Sequence, residues 1–182
     1  KRERPEYLAV CFDKGGSELR QELYTDYKAN RDETPEAIKI AVPYIQELLE
    51  AMHIPVIVKS GFEADDIIGT LAKKAEKEGF DTYMVTPDKD FAQLVSEHIF
   101  MYRPVFGGGY ETWGIQEVQA KFEVERPEQV IDLLGMMGDS ADNIPGFPGV
   151  GEKTAKKFIQ TYGSLEGLLA NTHELKGKMK ER

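Results

Sequence analysis

The sequence predicts an α/β fold with a mostly parallel sheet covered by helices on both faces. Two observations carry that expectation. The strand candidates YLAVCF (7–12), IPVIV (54–58), TYMVT (82–86) and IFMYR (99–103) are short runs rich in apolar residues rather than strict apolar–polar alternations, as expected of strands buried on both faces. Helical segments lie between them, so strand and helix alternate along the chain. After residue 137 the strand candidates stop and a small helical lobe begins.

The elements follow in order. YLAVCF ends at Asp13, and KGGS is a loop. The stretch ELRQELYTDYKANR (18–31) is charged, with aromatics interleaved. A helix over 34–52 starts on good signals, Thr34 as N-cap, Pro35 at the first helical position and Glu36 behind it, and Pro43 should kink or break it. After IPVIV, EADDIIGTLAKKAEKEG (63–79) is a helix closed by Gly79. TYMVT leads into PDKD and a short helix to about Val95, and IFMYR is followed by a GGG turn at 107–109. Helices are expected at about 115–121, 127–137, 151–162 and 164–171, and the tail KGKMKER is charged. There is no internal repeat and no low-complexity segment.

Bulk properties bound the function. With 182 residues, 41% of them hydrophobic, the chain can build a real core. No run of eighteen apolar residues suggests a membrane span, and the charged start KRERPEYLAVCFD does not read as a signal peptide. The lone Cys11 sits in an apolar run and reads as a small buried residue rather than a nucleophile, so a reduced, cytoplasmic setting is expected. The first residue is not Met, which suggests a fragment. The net charge of −9 argues by itself against a nucleic-acid binder. Its distribution argues otherwise. Residues 61–90 hold eight acids against four lysines, whereas residues 150–182 hold seven bases against four acids. That asymmetry suits a protein that holds metal in one place and phosphate in another.

The acids fall where ligands bind in open α/β sheets, at the carboxyl ends of strands. Asp13 ends the first strand. Glu63, Asp65 and Asp66 open the helix after IPVIV. Asp88 and Asp90 follow TYMVT, and Asp139 and Asp142 open the helical lobe. On the 63–79 helix, Asp65 continues the stripe of Ile68 and Ala72, Glu63 leans inward, and Asp66 is the more exposed. Any one of these motifs alone reads as helix-dipole or capping chemistry. Together they would repel unless cations lay between them. Oxygen-only ligands suit Mg²⁺ or Mn²⁺, and a pair of such ions roughly 3.5–4 Å apart can hydrolyse a phosphodiester. His53, His98 and His173 are scattered, so no zinc site is offered.

Two segments could grip phosphate. PGVGEKTA (148–155) is a Gly/Pro hairpin opening a helix, where backbone N–H groups and the dipole favour an anion. Gly149, Val150, Gly151, Glu152, Lys153, Thr154, Lys156 and Lys157 are its candidate DNA-binding residues. Contacts to backbone would hold duplex without reading sequence. It is not a Walker loop, because Lys153 follows Glu152 rather than glycine. In the second segment Arg20, Lys28 and Arg31 alternate with Tyr24 and Tyr27, a pattern able to clamp phosphate and stack on bases, though a solvated helix face with core tyrosines has the same pattern.

Six motifs occur in one order: Asp13 with Arg20, YKANR (27–31), EADD (63–66), TPDKD (86–90), GDSADNIPG (138–146) and PGVGEKTA (148–155). The chain resembles, over essentially its whole length, the 5′-nuclease domain of bacterial DNA polymerase I, within the flap endonuclease superfamily. The resemblance implies a PIN-like core over 1–137 with a helical arch at 24–50, and a helix-three-turn-helix DNA-binding lobe and tail over 138–182. It implies metal ligation by Asp13, Glu63, Asp65, Asp88, Asp90 and Asp142, with Asp66 and Asp139 at further acidic positions of the same motifs. Lys28 and Arg31, with Arg20, would hold the scissile phosphate, and Tyr27 would contact DNA. Two Mg²⁺ or Mn²⁺ ions are implied, with K⁺ at the hairpin. DNA with duplex and 5′ single-strand character is the implied partner, and a polymerase domain in cis is expected if the parent is DNA polymerase I. The implied setting is the bacterial cytoplasm, at the nucleoid.

The sequence departs from this pattern at its ends. The family begins with an additional strand carrying a metal-binding Asp and continues past the lobe with further helices. Exposed sheet edges, self-association through them and impaired metal binding are therefore expected, which keeps open a second reading of a catalytically weak, structure-specific DNA-binding module. A third, a PIN-type ribonuclease, shares the acidic pocket but not the duplex-binding hairpin. Leu19 stands where the family commonly has Phe.

Overall fold

The computed structural model describes residues 3–175. The charged tail KGKMKER lies outside the described residues. The chain packs as two units, residues 1–70 and 71–182.

The first unit holds β1 (Val10–Phe12), α1 (Glu18–Leu23), α2 (Glu36–Ala51), β2 (Val56–Val58) and the start of α3 (Ala64–Lys77). Strands β1 and β2 pair in parallel, Val10 opposite Val56 and Phe12 opposite Val58. Both are shorter than the apolar runs that announce them. Ser17 caps α1 by accepting from the Arg20 N–H. At α2 the expected Thr34 cap is not used: Pro35 is the cap residue, without a side-chain bond, and the helix starts at Glu36. Pro43 does not break it either. Proline removes the N–H that would bond Lys39 and crowds that carbonyl. Because α2 buries none of its residues, water can take the freed carbonyl. Helix α3 ends as the sequence indicates: Gly79 has φ +85°, and the Phe80 N–H reaches back to the Ala75 carbonyl at 3.0 Å.

The second unit carries most of the buried side chains. β3 (Thr82–Val85) pairs in parallel with β4 (Ile99–Pro104), and β4 pairs antiparallel with β5 (Tyr110–Trp113). β5 was not among the expected strands; its polar sequence YETW lacks the apolar signature. The turn leading to it was expected, and Gly107, Gly108 and Gly109 all have φ above +90°. One sheet face places Met84, Ile99 and Met101 in the core with Phe91, Val95, Val118, Val130, Leu133 and Met136. Each such side chain contributes roughly 1.5–3 kcal/mol of burial. Phe91 and Ala92 come from the 3₁₀ turn after β3, where a short helix was expected. α4 (Ile115–Phe122), α5 (Gln129–Met137), α6 (Glu152–Tyr162) and α7 (Leu165–Ala170) follow. Two further short strands, β6 (Gly138–Asp139) and β7 (Ile144–Pro145), close the GDSADNIPG motif into a loop, in a region where the sequence pattern offers no strand. The fold is thus α/β with parallel strand pairs and a helical C-terminal part.

Candidate nuclease site

In the first unit, the acids of EADD meet the bases of the 18–31 stretch. Asp13, just past β1, accepts a bond from the Ala64 N–H at the first residue of α3. Glu63 is buried, and its two oxygens take Lys28 Nζ at 2.6 Å and the Tyr27 hydroxyl at 3.1 Å. Arg20 grips Asp66 with both terminal nitrogens at 2.7 Å, a bidentate pair. Asp66 also accepts the Glu63 N–H at 3.0 Å. The Arg20 guanidinium therefore holds the Asp66 carboxyl below its ordinary range.

Three expectations change here. Asp65 is exposed and Asp66 half-buried, the reverse of the stripe argument, because the tertiary partner Arg20 outweighs position on the helix. Tyr27 is 7% exposed and bonded to Glu63, so its ring is not presented for stacking on DNA. Arg20 is committed to Asp66 rather than standing ready for a phosphate. Lys28 has φ +58°, a left-handed conformation unusual for lysine, and its ammonium also lies 4.9 Å from the centre of the Tyr27 ring. Arg31 is exposed, its N–H bonded to the Lys28 carbonyl at 3.1 Å.

In the second unit the remaining acids interact electrostatically. Asp88 caps the turn after β3, its Oδ1 accepting from the Asp90 N–H at 3.0 Å. Asp139 Oδ1 accepts from the Ala141 N–H at 2.9 Å inside the GDSADNIPG loop. Asp90 is half-buried, and its pKa is pushed up to about 6, first by burial, then by the charges of Asp88, Asp139 and Asp142 against the opposing pull of Lys89. Among the described residues, Asp90 Oδ1 is buried without a hydrogen-bond partner. A buried, unpartnered carboxylate oxygen under the charge of three further carboxylates is unfavourable without a compensating cation. The donor set is all oxygen, which fits a divalent metal ion. No three His, Cys, Asp or Glu side chains already stand at metal-holding distances among the described residues.

The loop that carries Asp139 and Asp142 is built on close backbone contact. A Cβ at Gly138 would come within 2.2 Å of Gly146 N, and one at Gly146 within 2.3 Å of the Met137 carbonyl. Gly138 also has φ +72°. The two glycines form the neck of the loop, sealed by the β6–β7 pairing. No side chain can be added there without moving main chain.

Beyond the neck, Pro148 and Gly149 form a turn in which the Val150 N–H bonds the Phe147 carbonyl at 2.9 Å. Gly149 has φ +79°, as that turn requires at its third residue. Val150 is buried and anchors the turn. Gly151 caps α6 with an ordinary extended conformation, and a Cβ there would meet nothing. Its lack of a side chain leaves the Glu152 and Lys153 N–H groups without a side-chain cap, which suits an approaching phosphate. Lys153 and Lys157 are exposed, and Thr154 is half-buried. Glu152 and Lys156 pair with each other at 2.9 Å. Lys156, one of the candidate DNA contacts, also bonds the Lys121 carbonyl and Glu123 within the chain.

Both regions match one kind of protein. The family model described as "5'-3' exonuclease, N-terminal resolvase-like domain" matches residues 1–123, and that described as "5'-3' exonuclease, C-terminal SAM fold" matches residues 125–182. The chain belongs to the 5′-3′ exonuclease family, and its fold is that of the PIN-like flap nucleases. Among its relatives, DNA polymerase I of Bacillus caldotenax is 42% identical over 181 residues, covering 98% of this chain and 20% of the relative. A 5′-3′ exonuclease of Aquifex aeolicus (strain VF5) is 42% identical over 171 residues, covering 94% of this chain and 58% of the relative. The chain thus spans about a fifth of the first and just over half of the second. Among solved structures, a bacteriophage T5 D15 flap endonuclease in a pseudo-enzyme–product complex with DNA and metal ions superposes with a TM-score of 0.75 at 26% identity, covering 95% of this chain and 66% of that one.

Proposed function

We propose that the chain is a metal-dependent, structure-specific 5′ nuclease that hydrolyses DNA phosphodiesters at 5′ ends and flaps during replication and repair. The observation that carries this reading is Asp90: a half-buried carboxylate with one buried, unpartnered oxygen among the described residues, under the charges of Asp88, Asp139 and Asp142. The names of its relatives, and the DNA and metal ions held by the T5 flap endonuclease, point the same way.

The proposed ligands are Asp13, Glu63 and Asp65 in the first unit and Asp88, Asp90 and Asp142 in the second. Two bound Mg²⁺ or Mn²⁺ ions would activate a water and neutralise the leaving oxygen. Asp66 orients Arg20, and Asp139 shapes the loop that presents Asp142. Lys28 and Arg31 hold the scissile phosphate, Lys28 by exchanging its contact with Glu63 for one with the phosphate. The open N-terminus of α6, with Lys153 and Lys157, holds duplex phosphate, aided by K⁺ at the hairpin. Grip and loop are consecutive in sequence, so the cut is placed by geometry rather than by base sequence. The proposed division is a nuclease core over 1–137, with the arch at 24–50, and a DNA-binding lobe over 138–182. A polymerase domain in cis, a cytoplasmic setting at the nucleoid and pairing of copies through sheet edges complete the proposal.

A second reading, a DNA-binding module that cuts weakly, is favoured by the absence of a ready-made group of three metal ligands among the described residues. Asp65→Asn and Asp88→Asn separate the two. In the nuclease reading each abolishes Mg²⁺-dependent cleavage of a 5′-flap duplex and leaves gel-shift affinity within about threefold, since binding rests mainly on backbone and lysine contacts. Wild-type cleavage by either variant would remove the metal assignment.

A further inference from the structure

The lysines of PGVGEKTAKK do not share one role. Lys153 and Lys157 are four apart, on one exposed face of α6. The Lys156 side chain is 13% exposed, and its ammonium makes three contacts: the Lys121 carbonyl at 3.1 Å, Glu123 Oε1 at 3.1 Å and Glu152 Oε1 at 2.9 Å. An ammonium has three donors, so all of them are spent inside the protein. Two of the acceptors lie at the end of α4 and just beyond it, where Glu123 turns the chain with φ +57°. The other Glu123 oxygen accepts from Gln160 Nε2 at 3.3 Å, one turn further along α6. At the far end of α6, Gln129 Nε2 donates to the Gly163 carbonyl at 2.8 Å. Gln129 is itself buried, its Oε1 accepting from the N–H groups of Glu125 at 2.8 Å and Arg126 at 3.0 Å. The 121–129 segment therefore holds α6 at its middle, its last turn and its C-cap, and through the Lys156–Glu152 pair reaches its first turn, so the helix whose N-terminus carries the hairpin is tied to that segment.

We propose that Lys156 is a positioning residue rather than a phosphate contact: with Glu123 it clasps α6 to the 121–129 segment and so sets the direction from which the 148–152 hairpin meets the duplex. The proposal rests on the nuclease reading, because a fixed hairpin direction matters to an enzyme that measures its cut from the place it grips.

The test compares Lys156→Met, Lys156→Arg and Lys157→Met on a labelled 5′-flap duplex. A phosphate contact lowers the slope of log affinity against log salt concentration by about 0.9. Lys157→Met shows that loss, whereas Lys156→Met keeps the wild-type slope. Lys156→Met instead lowers kcat roughly tenfold at little-changed KM and spreads the cuts over neighbouring bonds, as expected of misplacement rather than weaker binding. Lys156→Arg restores both, because a guanidinium can span the same acceptors. A slope loss for Lys156→Met matching that of Lys157→Met would overturn the proposal, as would unchanged kcat and cut position. Hydrogen exchange without DNA reads the clasp directly: amides of 121–129 exchange faster in Lys156→Met, and unchanged protection would also overturn it. If the wild-type chain bound no flap duplex, the nuclease reading would fail, and exchange alone would still decide whether the clasp exists.

Discussion

The charged side chains of the two units solve the same problem differently. In the first unit, Glu63 and Asp66 are neutralised within the chain by Lys28 and Arg20. In the second, Asp90 Oδ1 has no hydrogen-bond partner among the described residues, and Asp90 keeps its proton to about pH 6. The difference has a measurable consequence. An unfolded Asp ionises near 3.8, so between that pH and about 6 the unfolded chain releases a proton that the folded chain keeps. Without metal, Asp90 therefore lowers stability as pH rises through this window, and the loss persists above it. In EDTA at pH 7.5, Asp90→Asn should be more stable than wild type, by on the order of 1 kcal/mol once partial solvent screening is allowed for. At pH 3.5 the two should agree more closely. Urea midpoints at both pH values check this, and equal midpoints at pH 7.5 would show that Asp90 is not strained. The sequence named these acids but not their partners. Arg20 lies 46 residues from Asp66, and no local pattern announces a bidentate pair across that distance.

At the scale of elements, the sequence was most legible where glycine and proline do a job that other residues cannot. Gly79 closes α3, the three glycines at 107–109 turn β4 into β5, and Pro148–Gly149 shapes the hairpin. It was less legible where an element is defined by its partner. β5 is polar and is a strand because β4 offers it a ladder, and β6 and β7 exist because Gly138 and Gly146 let two main chains touch. Pro43 misled, since an unburied helix can tolerate what a buried one cannot. The glycine neck supports a sharp expectation. Gly146→Ala forces a methyl group to within 2.3 Å of main-chain atoms, so the neck must open. The loop should shift and the chain lose about 1–3 kcal/mol. Thermal or urea unfolding measures that loss, and a wild-type midpoint would show that the neck yields at no cost.

At the scale of the whole chain, the six motifs were readable because each has its own chemical reason, and the family match covers the same sequence from residue 1 to residue 182. What remained unread was the assignment of charge: which lysine faces solvent, which is spent inside, and which acid has an arginine. These depend on packing that only the folded chain defines. The most direct test of the central claim is cleavage of a 5′-end-labelled flap duplex by this chain in Mg²⁺ and in EDTA, beside a gel shift. The nuclease reading expects cutting near the flap junction in Mg²⁺, none in EDTA, and binding in both. Binding without cutting at any Mg²⁺ or Mn²⁺ concentration would contradict it and leave the chain a DNA-binding module.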